Sequence, residues 1–124
     1  MKLPRIYTGE DNQSHFEELD LPMTPDRRET SEWLAGAKVA FGQSPALPQQ
    51  DWHHAPRRQL VAVLSGVLEV EVGDGSKRRF DTGDYFLADD LTGQGHRTTD
   101  AEGPVLLLYA ELPQDLDPTR WRTT

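Results

Sequence analysis

No cysteine occurs in the 124 residues, which excludes disulfides and thiolate metal ligands. That lack fits a reducing compartment. Long apolar runs are also missing. The longest, residues 105–110 (VLLLYA), is strand-sized and well short of a membrane span. The N-terminal stretch MKLPRIYTGEDNQSHFEEL has no apolar segment of the secretory type. The expectation is therefore a soluble, cytoplasmic protein. Basic charge is scarce: 13 Lys and Arg stand against 21 Asp and Glu, for a formal net charge of −8. Binding a phosphate backbone requires clustered cations that displace counterions. The short basic groups Arg57-Arg58 and Lys77-Arg78-Arg79 lie in an acidic background and read as solvated strand faces and hairpin edges. Neither nucleic acid nor an anionic membrane is expected as a partner. A chain of this length suits one domain around one core.

Helix signals are weak. The first 50 residues carry Pro4, Pro22, Pro25, Pro45 and Pro48, each of which fixes φ and removes a backbone donor. This part reads as irregular, with short extended pieces at 5–8, 15–21 and 37–42. Residues 30–34 can start one helical turn, which Gly36 limits. The second half is more regular. Residues 59–64 (QLVAVL) are apolar on both faces, as in a strand covered on both sides. Ser65-Gly66 marks a turn. Residues 67–72 (VLEVEV) alternate, with Leu68, Val70 and Val72 on one face and Glu69 and Glu71 on the other. Asp74-Gly75 favours a tight hairpin turn, and 77–80 returns as the partner strand. A turn at 82–84, a short strand at 85–88, a polar loop at 89–96 and an apolar strand at 105–112 follow. Many short strands between turn residues indicate a sandwich or barrel. The tail, 113–124, is expected to pack Trp121 back onto the body.

Four histidines are present, His15, His53, His54 and His96. Strands distant in sequence can bring two of them to one mouth of a barrel. Around them lie two stretches, Trp52-His53-His54-Ala55-Pro56-Arg57-Arg58-Gln59 with Gly66 seven after Gln59, and Gly83-Asp84 followed by Tyr85 to Asp90, Leu91-Thr92-Gly93-Gln94-Gly95-His96 and Asp100. This arrangement resembles the two motifs of the cupin superfamily, with the Asp74-Gly75 hairpin between them. The resemblance covers about residues 48–112. It implies one cupin domain over 1–124, all-β, a double-stranded β-helix or jelly-roll barrel. Its core would span about 37–112, with an irregular N-terminal extension (1–36) and a C-terminal tail (113–124).

In metal-binding cupins two histidines, a glutamate and a later histidine hold one divalent ion. Counting back from Gln59 places Trp52 and His54 at the His-x-His positions, so Trp replaces one ligand and Gln replaces the glutamate. A bulge would turn His53 inward in place of His54, because adjacent strand residues face opposite ways. The resemblance thus implies a metal set drawn from His53 or His54, Gln59 and His96. It would hold Fe, Mn, Ni or Zn, with a carboxylate from Asp89, Asp90 or Glu17 as a possible addition. A hydrogen-bonded Gln59–His96 pair without metal is the competing reading. For a ligand, Trp52 offers a flat wall, Arg58 a planar clamp for carboxylates, Tyr85 a hydroxyl and Asp90 a carboxylate. Asp89 and Asp90 are adjacent, so their side chains should diverge. The function implied is binding of a small polar or carboxylated metabolite inside the barrel, by an enzyme with or without metal. The alternative is a non-catalytic sensor module that works with a partner protein. A homodimer is implied as well, since the 59–64 and 106–110 strands are apolar on both faces.

Overall fold

The computed structural model describes residues 1–25, 27–36, 38–44 and 51–123. Ala37, at the start of one expected strand, and residues 45–50, which hold Pro45 and Pro48, lie outside the described residues.

The described residues form β-strands and a single 3-10 turn at Pro118–Trp121. The strands are β1 (Lys2–Thr8), β2 (Ser14–Asp20), β3 (Met23–Pro25), β4 (Glu29–Ser31), β5 (Val39–Gln43), β6 (Gln59–Glu71), β7 (Lys77–Phe80), β8 (Tyr85–Asp89) and β9 (Arg97–Glu111). Seven of them make one mixed sheet in the order β2-β1-β8-β6-β9-β5, with β7 also on β6. The pairings are antiparallel except that of β1 with β8, which is parallel. Strands β3 and β4 form a separate two-stranded sheet. The expected turn in 30–34 is absent; Glu29–Ser31 is extended instead. No helix among the described residues is long and apolar enough to cross a membrane.

Two differences from the sequence reading matter. The first concerns Ser65-Gly66, expected as a turn. The chain runs through it as one long strand, with register irregularities against β9 between Val63 and Leu68. Gly66 adopts φ 78°, a conformation that suits a bulge or bend. This irregularity shifts the side-chain parity. Val61 and Val63 face the same core as Leu68, Val70 and Val72, although one set is odd-numbered and the other even. An uninterrupted strand would have sent one set outward. The second difference is the N-terminal region. The β1–β2 hairpin is not an irregular extension outside a 37–112 core, because β1 lies in the main sheet beside β8 and carries fully buried Ile6. Its apolar positions were sparse, and its pairing partner is distant in sequence. The Asp74-Gly75 hairpin forms as expected, with Val72 N–H bonded to the Ser76 carbonyl at 2.9 Å.

The sheet has two covered faces. On the inner face, Ile6, Val61, Val63, Val70, Phe80 and Phe86 form the main cluster, with the Phe80 and Phe86 rings 4.5 Å apart. On the outer face of β1 and β8, Leu3, Leu19, Leu87, Leu112 and Trp121 pack together, which brings the tail onto the body as expected. A charged clasp sits on this outer side. Arg5 donates to Asp89 Oδ2 from Nε at 2.9 Å and from Nη2 at 2.7 Å, and Arg58 Nε donates to Asp89 Oδ1 at 2.6 Å. Arg58 Nη1 also reaches the carbonyls of Pro113, Gln114 and Leu116, fixing the tail. Arg5 binds Glu17 as well, and Arg122 joins that carboxylate from the tail. Burial works against the Glu17 charge, but the Arg122 and Arg5 guanidiniums hold its carboxyl below the usual range.

Removing one member of a buried ion cluster leaves the others desolvated and unpaired. The Asp89 side chain is 1% exposed. Asp89→Ala is expected to destabilise the fold by about 3–5 kcal/mol, read from the denaturant midpoint. A change within about 0.5 kcal/mol would show that the clasp carries no stability.

Candidate functional site

Strand parity at the start of β6 and along β8 builds the site. On β8, Phe86 and Ala88 face the inner core while Leu87 packs in the outer cluster. Asp89 therefore turns outward to its arginines and Asp90 turns inward, so the two carboxylates diverge as expected. At the start of β6 Gln59 faces inward, and Arg58 just before it faces outward.

The inner face opens into a cavity of about 560 Å³. Its apolar wall includes Val61, Leu68, Phe86, Val105 and Leu107. Its polar wall includes His53, Gln59 and His96. They come from two separate stretches of chain, 53–59 and 96, and His53 and His96 meet because they pair as an isolated antiparallel bridge. His53 N–H bonds the His96 carbonyl at 2.9 Å, and His96 N–H bonds the His53 carbonyl at 2.8 Å. The two ring centroids lie 4.8 Å apart. Gly95, beside the bridge, has φ 82°, and a Cβ there would fall 2.0 Å from the His53 carbonyl oxygen. Only glycine allows this close passage of the two backbones.

Hydrogen bonding assigns the tautomers of both rings. His53 Nδ1 lies 2.8 Å from the Asp51 carbonyl oxygen, which can only accept, so Nδ1 carries the proton. His96 Nδ1 lies 2.6 Å from Asp90 Oδ2 and donates to it. In the neutral form of each ring, Nε2 is then the lone-pair nitrogen. Asp90 is fully buried, and its Oδ2 also accepts from Ser14 Oγ at 2.6 Å. Its Oδ1 is buried without a hydrogen-bond partner among the described residues. The carboxylate thus acts on the ring of His96 from behind and orients it, as an outer-sphere carboxylate does for a ligating or catalytic imidazole.

Of the residues singled out from sequence, His53, Gln59 and His96 line the cavity, and the others do not. His54 is exposed, with Nδ1 bonded to the Ala55 carbonyl at 3.0 Å. The alternative in which His53 turns inward is the one observed. Trp52 lies outside the cavity wall under the Arg97 guanidinium, 4.8 Å from its ring centroid. Arg58 belongs to the outer clasp; its neighbour Arg57 lines the cavity instead and pairs with Glu111 at 3.2 Å. Tyr85 is on the outward parity of β8 and donates its hydroxyl to the Lys2 carbonyl at 3.0 Å. Asp90 sits behind His96 rather than in contact with the cavity. Glu17 is held by Arg5 and Arg122. Sequence reasoning missed Asp100 and Tyr109 as cavity residues. Asp100 had been placed only by motif position, and Tyr109 was hidden in an apolar run. The inward alternation of Leu107 and Tyr109 in β9 was the available signal.

The donor set facing the cavity is two imidazoles and one neutral amide. Among the described residues, no three of His, Cys, Asp and Glu gather closely enough to hold a metal ion. The Nδ1 hydrogen bonds nevertheless suit a metal, because they leave Nε2 of each neutral ring as the nitrogen that could ligate. In comparisons with known proteins, the chain matches no family model and no curated protein.

Replacing Asp90 by Asn tests the orienting role. An amide can donate to Nδ1 as readily as it accepts from it. Asp90→Asn is expected to convert His96 from a single Nδ1–H tautomer to a mixture, read by ¹⁵N NMR of the ring, while His53 stays unchanged. An unaltered His96 signal would show that Asp90 does not set the tautomer.

Proposed function

We propose that the protein is a small-molecule-binding barrel of the cupin type that takes a small polar or carboxylated metabolite into the inner cavity. The observation that carries this reading is the meeting of His53, Gln59 and His96 on the wall of one cavity whose other walls are mostly apolar. A cavity of about 560 Å³ lies within the range of small-molecule sites. The long, bent β6–β9 ribbon and the hairpin at Asp74-Gly75 support the jelly-roll assignment.

The chain's own groups define what the cavity can do. Gln59 offers amide N–H groups, and Arg57 offers a guanidinium to a carboxylate. The Nε2 atoms of His53 and His96 accept a hydrogen bond or a proton from a ligand hydroxyl or acid group. His96, braced by Asp90, is the better held of the two and is the general-base candidate. The fixed tautomers favour a second form of the same reading, in which His53, Gln59 and His96 hold one divalent ion of the Fe, Mn, Ni or Zn kind. Such an ion would supply Lewis-acid polarisation of the ligand. Three neutral donors leave its charge uncompensated, so an anionic ligand would complete the shell.

Native mass spectrometry of the purified protein, with metal analysis, tests both forms. A small molecule or stoichiometric metal is expected in the wild type. His96→Ala and Gln59→Ala are expected to weaken retention at least tenfold, since each removes a buried polar partner of the ligand. Undiminished retention in both variants would place the ligand elsewhere and remove the proposal. Chemical conversion of the retained molecule distinguishes an enzyme from a binding module.

A homodimer is part of the same proposal. Val39, Phe41 and Leu64 are 67%, 69% and 42% exposed on the strand faces turned away from the cavity. A second copy would cover them and shield the β5 edge. Sedimentation is expected to show a dimer that Phe41→Asp converts to monomer; a monomeric wild type contradicts it.

A further inference from the structure

At one side of the cavity stands a group that the polar wall of His53, Gln59 and His96 does not explain. Asp100 is the sole carboxylate among the described residues that line it. Its Oδ2 accepts from Ser44 Oγ at 2.7 Å, and Ser44 Oγ in turn accepts the Val105 N–H at 2.8 Å. These bonds tie the end of β5 to the bent part of β9 and fix where the carboxylate points. No salt bridge to Asp100 occurs among the described residues. Asp100 is half-buried with Leu68 as its register partner on β6, and a carboxylate so placed gains from a cation or a strong donor. Tyr109, on the same wall, is affected by this charge. Burial first, and then the field of Asp100, push its phenol above the ordinary range, so the hydroxyl stays neutral. A neutral hydroxyl beside a carboxylate can accept from an ammonium group that the carboxylate binds.

Basic and donor groups line the same cavity, Arg57 being paired with Glu111 at 3.2 Å. Arg57 is the basic side chain there other than the histidines, and Gln59 adds amide donors. Asp100, in β9, lies four residues beyond His96, which immediately precedes that strand, about 13 Å of extended chain. The same cavity carries the apolar side chains of Leu68, Phe86 and Leu107, against which a short aliphatic chain would pack.

We propose that Asp100, with Ser44 and Tyr109, forms an ammonium subsite, and that the cavity's ligand class is a small aminocarboxylate. Its carboxylate would lie toward Arg57 and Gln59, its amine at Asp100 and its methylenes on the apolar wall. This rests on the cavity being the ligand site.

Titration calorimetry with matched probes tests it: 4-aminobutyrate, 5-aminopentanoate and 6-aminohexanoate against butyrate, pentanoate and hexanoate. At least one amino probe is expected to bind tenfold or more tightly than its plain counterpart. Asp100→Asn keeps the Ser44 hydrogen bond and is expected to abolish that preference while changing the plain acid's affinity less than twofold. Tyr109→Phe is expected to reduce the preference severalfold. Equal binding of each pair, or a preference that survives Asp100→Asn, overturns the subsite. If plain acids still bind and lose affinity in Arg57→Ala, the cavity reading stands without it. If none of the six probes binds the wild type, the aminocarboxylate assignment is overturned; a different ligand retained through His96 would keep the cavity reading alone.

Discussion

One backbone contact assembles the site: the reciprocal pair of hydrogen bonds between His53 and His96, 2.9 and 2.8 Å long. Neither residue lies in a long strand at that point, so no continuous ladder holds them together. The contact closes the loop after β8 against the segment before β6, and it sets both imidazoles on the cavity wall. It is possible only because Gly95 brings its backbone against the His53 peptide with no Cβ between them. Asp90 then fixes one ring from behind, and the Asp51 carbonyl fixes the other. Position comes from the bridge, and proton placement comes from the two Nδ1 partners.

The pleat keeps two kinds of polar chemistry apart. Side chains alternate across a strand, so Asp89 and Asp90, or Arg58 and Gln59, go to opposite faces although they are adjacent. On the outer side, Asp89 is saturated by two arginines and the tail is tied down by Arg58. Those charges are occupied with holding the molecule together. On the inner side, His53, Gln59 and His96 face open volume, and their cavity-facing atoms remain available to a ligand. A buried polar group without a partner costs stability. Among the described residues only Asp90 Oδ1, behind His96, is in that position, whereas the side chains of His53, Gln59 and His96 face the open cavity.

Much of the architecture was legible in the residues. Alternation in VLEVEV, the apolar runs before and after it, and the Asp74-Gly75 turn announced an all-β chain. Gln59 and His96 were read as neighbours, and the structure puts both on one cavity. The choice between His53 and His54 was open because parity is fixed by a cross-chain bridge, not by local sequence. Arg58 and Tyr85 were offered as ligand contacts because the counting of faces had no anchor; a one-residue shift reverses every side chain. The same difficulty hid the passage of β6 through Ser65-Gly66, where a bulge and a turn share the same residues. The N-terminal hairpin was underestimated because its parallel partner, β8, lies far away in sequence.

The central claim is that His53, Gln59 and His96 present their free polar atoms to one ligand-holding cavity. A high-resolution crystal structure of the protein as purified tests this most directly. The account predicts both imidazole Nε2 atoms turned into that cavity, with coherent density for a bound molecule or ion between them and Gln59. A cavity closed by its own side chains, or His96 turned to the outer face beyond reach of Gln59, would contradict it.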